Sequence, residues 1–124
     1  MSRTEDIISW TEQNGIVVVK FIAKEVFDIE SAEELAGQLR QLAQAKGGRQ
    51  WVIDFTGVEL IITPVVSGLL SALRSDRESG GDIALCGMGE TVSRVIELAR
   101  LDRVFYTFDT LAEALAAVGA KQSS

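Results

Sequence analysis

Histidine is absent from this chain of 124 residues, and its absence excludes several kinds of chemistry. Ser-His-Asp hydrolysis, Cys-His proteolysis and nearly every zinc site depend on an imidazole side chain. The single cysteine, Cys86, rules out an internal disulfide and is typical of a reducing compartment. Because Cys86 ends an apolar run, we expect its thiol to pack in the core and not to act as a nucleophile.

Long apolar runs and an excess of basic residues are also missing. No run reaches the roughly 18 apolar residues that span a bilayer, and the first residues do not resemble a signal peptide. Twelve lysines and arginines stand against 18 aspartates and glutamates, so the net charge is −6. This acidic balance disfavours nucleic acid as a partner. The sequence therefore predicts a cytoplasmic protein without direct membrane insertion.

An ordinary composition indicates a single globular domain. Hydrophobic residues make up 47% of the chain and charged residues 24%, and 124 residues suffice for one core but not for two. We expect the domain to span residues 1–120 and a polar tail to follow at 121–124.

Turn and capping signals divide the chain into alternating strands and helices. Asn14-Gly15 favours a hairpin between strands at 7–12 and 16–23. Capping boxes of Ser31 with Glu34 and of Thr110 with Glu113 predict the starts of the first and last helices. We also predict strands at 51–55, 82–86 and 104–108. A second helix has Thr63 as N-cap and Pro64 as its first residue, and it stops at 79–81. A third helix spans 90–99, and the last helix ends at Gly119.

The order of these elements, β-β-α-β-α-β-α-β-α, is typical of an α/β fold. Right-handed crossovers make the central strands parallel and leave the first hairpin strand antiparallel at an edge. We therefore predict a mixed, mostly parallel sheet of four to five strands with an antiparallel edge strand, packed with about four helices. Functional loops of such sheets gather at the carboxyl ends of the strands.

Three carboxylates lie near predicted strand ends, namely Asp28, Asp54 and Glu59. If they converge, a metal site or an acid–base pair is conceivable, but turn and helix-end hydrogen bonding is the more probable role of aspartate at such positions. The Gly87-Met88-Gly89 stretch lacks the rest of a dinucleotide-binding fingerprint. The residues therefore predict no metal, no cofactor and no catalytic site.

Thr63 is the hydroxyl residue that points to regulation. At a helix N-terminus the backbone N–H groups and the helix dipole favour negative charge. A phosphate there adds about −1.5 to −2 charge without unfolding the domain, and it disturbs an acidic or apolar partner docked on it. The alternative is an ordinary helix cap that is never modified.

Three stretches of the chain together resemble the STAS domain family of anti-sigma factor antagonists. They are residues 27–32 (FDIESA), residues 52–58 (VIDFTGV) and residues 81–105, which include GDIAL, VSRVIEL and LDRVF. Each stretch alone is a weak signal, but their order and spacing are specific, and the similarity covers residues 7–118. The resemblance implies a single STAS-like domain.

The resemblance also implies a function, a non-enzymatic bacterial switch in transcription regulation. In the family, the unphosphorylated form binds an anti-sigma factor that is also a GHKL-type serine kinase. Phosphorylation at the start of the second helix ends this contact, and a PP2C-type phosphatase restores it. The residues that this interpretation places in the partner-binding surface are Asp28, Asp54, Glu59, Thr63, Pro64, Val66 and Ser67.

The chain departs from the family pattern at the modified position. Where the family usually has Asp-Ser-Ser/Thr-Gly, this chain has Ile62-Thr63-Pro64-Val65, so Pro64 occupies the commonest acceptor position and cannot be phosphorylated. Two interpretations follow. Either Thr63 is the acceptor, with Ser67 one turn further on as a second candidate, or the switch is lost and the domain binds its partner constitutively.

Two other classes of function remain open from the sequence. STAS domains similar to this one are accessory subunits of ABC-type lipid transport complexes, and in that role the Thr63 hydroxyl would be dispensable. An enzyme or small-ligand sensor is the third interpretation, and the chain gives it little support because no convergent set of catalytic groups is present.

Overall fold

A five-stranded sheet lies at the centre of the computed structural model, which describes residues 7–26 and 28–123. The strands are β1 (Ile8–Gln13), β2 (Ile16–Phe21), β3 (Glu25–Val26), β4 (Gln50–Asp54), β5 (Leu60–Ile61), β6 (Asp82–Cys86) and β7 (Tyr106–Phe108). The central sheet has the order β1-β2-β4-β6-β7, while β3 and β5 form a separate pair. β1 is antiparallel to β2, and β2, β4, β6 and β7 are parallel to one another. The predicted mixed sheet with an antiparallel edge strand is confirmed.

Four α-helices cover the two faces of the sheet, also as predicted. They are α1 (Ile29–Lys46), α2 (Thr63–Glu78), α3 (Glu90–Leu98) and α4 (Leu111–Ser123), with a 3₁₀ helix at Leu101–Arg103. Strand side chains alternate between the faces, so Trp51 and Ile53 join the larger core beneath α1, α2 and α3. Val52 points the other way, into a smaller core that α4 covers with Ala114 and Val118. Within the described residues, none of these helices is long and apolar enough to cross a bilayer.

The β1–β2 hairpin forms as the Asn-Gly signal predicts. Asn14 and Gly15 have φ angles of 54° and 82°, the left-handed pair that a two-residue turn between twisted strands requires. Along β2, Val17, Val18 and Val19 are all buried. This burial on both faces explains why β2 has no alternating polar pattern.

The start of α1 corrects one prediction. Asp28 is the N-cap, and its Oδ1 accepts a hydrogen bond from the Ser31 backbone N–H at 2.6 Å. The predicted capping box of Ser31 with Glu34 is therefore wrong, because an aspartate three residues earlier supplies the cap one turn sooner. Glu34 instead accepts a hydrogen bond from the Gln38 side chain. Phe27 lies outside the described residues, as do residues 1–6, on which the signal-peptide expectation rests.

The start of α2 corrects a second prediction. Ile62 is the N-cap and has no side-chain capping bond, so Thr63 is the first helical residue and Pro64 the second. The reason is tertiary. The Ile62 N–H donates to the Val26 carbonyl oxygen at 3.1 Å and keeps the chain extended up to that residue.

The last helix follows its predicted start but not its predicted end. Thr110 and Glu113 exchange the two hydrogen bonds of a capping box, at 3.1 and 3.2 Å. The helix continues through Gly119 to Ser123, so the expected end at Gly119 is wrong. One glycine in a helix costs only about 1 kcal/mol, which does not stop a helix flanked by alanine, lysine and glutamine. Ser124 lies outside the described residues, and the domain boundary at 120 stays a prediction.

Two smaller differences concern the region around α3. The helix predicted at 90–99 ends at Leu98, so Ala99 lies beyond the end of α3 and is exposed, while Val92 and Ile96 are buried. The turn at residues 104–105, which follows the 3₁₀ helix, takes up the first part of the predicted strand at 104–108 and leaves β7 with three residues.

Candidate functional site

A pair of two-residue strands brings the beginnings of α1 and α2 together. β3 and β5 are parallel, with Glu25 opposite Leu60 and Val26 opposite Ile61. Two further backbone bonds extend the pair. The Glu59 N–H donates to the Lys24 carbonyl oxygen at 2.7 Å, and the Ile62 N–H donates to that of Val26. Because each helix begins within three residues of its strand, the N-terminal ends of α1 and α2 lie side by side.

The first turn of α2 presents two accessible hydroxyls. Thr63, Pro64 and Ser67 are exposed, Val66 is half-buried, and Val65 is buried in the main core. Thr63 and Ser67 are four residues apart and so lie on the same side of the helix. The Thr63 hydroxyl makes no hydrogen bond within the described part of the chain. Both hydroxyls can therefore be reached from outside.

Pro64 changes what this helix end offers to an anion. A helix normally leaves its first N–H groups unpaired, and these groups bind phosphate. Here the second residue has no N–H, and the Val65 N–H donates to the Ile62 carbonyl oxygen at 2.9 Å. This helix end therefore offers an anion the helix dipole but few direct hydrogen bonds.

Asp28 places a negative charge beside this turn. It is exposed at the N-terminus of α1, where hydrogen bonds from Ser31, chiefly from its backbone N–H, hold the pKa of Asp28 below its usual value. Its carboxylate is therefore ionised at neutral pH, and a partner that approaches Thr63 meets this charge.

Asp54 is buried, in contrast to Asp28. It is only 5% exposed, and its Oδ1 accepts hydrogen bonds from the Thr56 hydroxyl at 2.6 Å and the Thr56 N–H at 3.0 Å. Asp54 points to the α4 side of the sheet, the same side as Val52, and it lies opposite Cys86 in the β4–β6 register. Its geometry is that of a residue that shapes the turn after β4, and a contact between Asp54 and a partner stays a prediction.

Glu59 is exposed on the segment that leads into β5. It does not converge with Asp28 and Asp54, and the described residues contain no group of three carboxylate or cysteine side chains that could hold a metal ion. The preference for helix-end and turn hydrogen bonding is confirmed for Asp28, which caps α1, and for Asp54, which holds its turn.

The thiol of Cys86 is buried as predicted. Burial, and to a lesser degree the neighbouring Asp54 carboxylate, raises the pKa of Cys86 to about 12. A thiol with such a pKa is not ionised at neutral pH and is a poor nucleophile.

Sequence reasoning missed two exposed isoleucines on the same side of the fold. Ile29, the first residue of α1, is 64% exposed, and Ile22, just after β2, is 59% exposed. The exposure of Ile22 could not be predicted from the sequence, because the apolar run that continues to Ala23 is typical of a longer buried strand.

We call the set Asp28, Ile29, Thr63, Pro64, Val66 and Ser67 the helix-start surface.

A groove between α1 and α2 continues the helix-start surface. It has a volume of about 570 Å³, and it runs from Pro64 and Ser67 towards Ser75 along α2. The helices approach closely because Gly68 faces Ala36, where an added Cβ would stand 3.2 Å from the alanine Cβ. The groove therefore adds small and polar surface to the apolar and acidic surface around Thr63.

Comparison with a protein-family model finds a match over residues 8–114, and the family is described as the STAS domain. In sequence, the chain is 34% identical over 76 residues to a Thermotoga maritima protein named "Putative anti-sigma factor antagonist"; the match covers 61% of this chain and 67% of that protein. A homolog from Thermotoga neapolitana is 33% identical over 70 residues and is covered over 62% of its length, slightly less than two thirds.

Solved structures show the same fold. A crystal structure of an anti-sigma factor antagonist from Thermotoga maritima matches with a TM-score of 0.77 and 26% identity, over 90% of this chain and 93% of that one. SpoIIAA, a Bacillus cell fate determinant, matches in its phosphorylated form with a TM-score of 0.67 and 18% identity, over 90% of this chain and 98% of that chain. At that identity, the likeness to SpoIIAA concerns the fold alone.

Proposed function

Since the match over residues 8–114 shows that this chain belongs to the STAS domain family, we propose that it is a non-enzymatic regulator that binds an anti-sigma factor. The names of its relatives in Thermotoga support this class of function. The observation that carries the proposal is the exposed Thr63 hydroxyl, which makes no hydrogen bond within the described residues, at a helix start that pairing of β3 with β5 brings beside Ile29 and Asp28.

The partner in this proposal is an anti-sigma factor that is also a GHKL-type serine kinase. Unphosphorylated chain docks its helix-start surface on the kinase, with Ile29, Pro64 and Val66 as the apolar contacts. The kinase then transfers the γ-phosphoryl group of ATP to the Thr63 oxygen, the hydroxyl proton leaves, and ADP is released. Hydrolysis of the phosphate ester by a PP2C-type phosphatase returns the chain to its binding form.

The charge balance explains why phosphorylation ends the contact. A phosphothreonine brings about −1.5 to −2 charge at pH 7, and it lies near Asp28, which is already ionised. Docking would bury this charge against the apolar contacts, and an unpaired buried charge is strongly unfavourable. Few backbone N–H groups are free to neutralise it because of Pro64, so the phosphate stays solvated and the partner is released.

The test combines phosphosite mapping with binding measurements. The purified chain is incubated with ATP, magnesium and the GHKL-type kinases of its own organism, and mass spectrometry locates the phosphate. We expect incorporation at Thr63, its loss in Thr63→Val, and no change in the matched control Thr91→Val, because Thr91 is an exposed threonine in the first turn of α3. Thr63→Glu is expected to weaken kinase binding about tenfold or more, which corresponds to about 1.4 kcal/mol.

The other outcomes identify other functions. Incorporation that survives Thr63→Val but not Ser67→Ala makes Ser67 the acceptor. Kinase binding without phosphate transfer indicates a constitutive binder. Recovery with an ABC-type ATPase instead of a kinase, unchanged by Thr63→Val, favours a subunit of a lipid transport complex and contradicts the proposal.

A further inference from the structure

A buried carboxylate lies at the end of α2 away from Thr63. Asp76, in the last turn of α2, is fully buried, which is rare for an aspartate that has no cationic partner. Its Oδ1 accepts a hydrogen bond from the Gly48 N–H at 2.8 Å, in the turn between α1 and β4. Its backbone oxygen accepts from the Gly81 N–H at 2.8 Å, in the turn between α2 and β6. Asp76 thus joins three segments of the chain.

The second carboxylate oxygen has no partner. Asp76 Oδ2 is buried and makes no hydrogen bond within the described residues. An added Cβ on Gly81 would stand 2.3 Å from Oδ2 and 2.2 Å from the carbonyl oxygen of Arg49. Two acceptor oxygens therefore border the same small space beside Gly81.

Among residues 7–26 and 28–123, no cation forms an ion pair with Asp76. Arg49 pairs through its guanidinium with Glu12, and Lys46 pairs with Glu12 as well. Arg77 pairs with Asp82 at 3.1 Å, and Asp82 itself adds unfavourable negative charge near Asp76. Burial is the main cause that raises the pKa of Asp76 to about 6, with Asp82 adding to it, and the backbone N–H groups of Gly48 and Arg49 act in the opposite direction.

We propose that Asp76 is a proton-binding site, and that its protonation fastens the C-terminal end of α2 to the turn between α1 and β4. A proton from solvent adds to Oδ2, which then becomes an O–H donor directed at the Arg49 carbonyl oxygen. Oδ1 keeps its bond to the Gly48 N–H in both states. Loss of the proton leaves a buried charge with one oxygen unsatisfied, and this loosens the junction.

The direction of the pH effect follows from linkage. In the folded chain Asp76 binds its proton more tightly than in the unfolded chain, where an aspartate has a pKa of about 3.9. Its contribution to stability is therefore fully present below about pH 4 and is lost as the pH rises through 6. A difference of about two pKa units corresponds to a change of about 100-fold in the ratio of folded to unfolded chains.

The experiment measures Asp76 directly in the unmodified protein and then by substitution. We expect the Asp76 carboxyl carbon to titrate near pH 6 by NMR. In Asp76→Asn, the amide oxygen can accept a hydrogen bond from the Gly48 N–H, and the amide NH₂ can donate one to the Arg49 carbonyl oxygen. This side chain does not titrate. Between pH 4 and pH 7.5 the folded-to-unfolded ratio of the unmodified chain should fall about 50-fold relative to this variant, because at pH 4 about half of the unfolded chains already carry an ionised Asp76.

Glu78→Gln is the matched control, because Glu78 is an exposed carboxylate two residues further along α2. It should leave the pH dependence of stability as it is in the unmodified chain. The proposal is overturned if Asp76 titrates below about pH 4.5, or if Asp76→Asn and the unmodified chain keep a constant stability difference across this range. The NMR titration decides the question even if the variant does not fold.

Discussion

The two ends of α2 are built in opposite ways. At its N-terminus, Thr63 and Pro64 are exposed, and no side chain caps the helix. At its C-terminus, Asp76 is buried and bonded to Gly48, while Gly81 leaves no room for a side chain. One end is open to another molecule, whereas the other is closed against the rest of the domain. We infer that changes at the first end alter binding and that changes at the second alter stability.

The largest effect is expected at the closed end, from Gly81→Ala. The new Cβ would stand 2.2 Å from the Arg49 carbonyl oxygen and 2.3 Å from Asp76 Oδ2. Either the backbone at Arg49 or the Asp76 carboxylate must therefore move. We expect a loss of about 3 kcal/mol in the free energy of unfolding, measured by urea denaturation. Gly119→Ala is the control, because a Cβ there meets nothing within 4 Å and the change should stabilise α4 by up to about 1 kcal/mol. Equal stability of the two variants would show that the closed end is not tightly packed.

An intermediate effect is expected at the open end, from Ile29→Ser. Removing an apolar side chain that is 64% exposed changes the stability of the free domain little. If the chain binds the kinase proposed above, the substitution should weaken that binding by about 1–2 kcal/mol, or roughly 5- to 30-fold, in titration calorimetry. Leu98→Ser is the matched control, because Leu98 is 79% exposed at the end of α3. If both variants bind equally well, the partner does not contact Ile29 of the helix-start surface.

The smallest effect is expected from Asp28→Ala, which removes the α1 cap. The Ser31 N–H then loses its acceptor, and we expect its hydrogen exchange to become faster while the core amides of α1 keep their protection. Asp28→Asn keeps an oxygen acceptor and should restore slow exchange. Fast exchange in both variants would mean that the negative charge, and not the hydrogen bond, stabilises this turn.

Local signals were sufficient to predict the main architecture. The Asn14-Gly15 turn, the capping box at Thr110 and the short apolar runs each specify an element without reference to distant residues, and their order then fixes the mostly parallel sheet. β3 and β5 carry no such signal, because two-residue strands have no periodicity and exist only through pairing between segments about 35 residues apart.

In the candidate site, too, contacts between distant segments could not be predicted from the sequence. Thr63 was predicted as the hydroxyl at the start of α2 from the proline that follows it, and Ser67 was added through the family resemblance. A sequence does not show that a strand-end residue such as Asp54 is buried, or which side of the sheet it faces. Asp76 lies in a stretch, Arg74-Ser75-Asp76-Arg77-Glu78, that is typical of a solvated helix face. Its burial arises from contacts with Gly48 and Gly81, which the local pattern does not contain.

The arrangement of α4 has a consequence for how the chain is made. The smaller core depends on Ala114 and Val118 to cover Val52 and Ala84 on the second side of the sheet. Ala114 and Val118 are translated after the residues of all seven strands. The apolar side chains of Val52 and Ala84 on this side of the sheet therefore stay uncovered until α4 has left the ribosome. The smaller core can therefore be completed only after residue 118 has been synthesised.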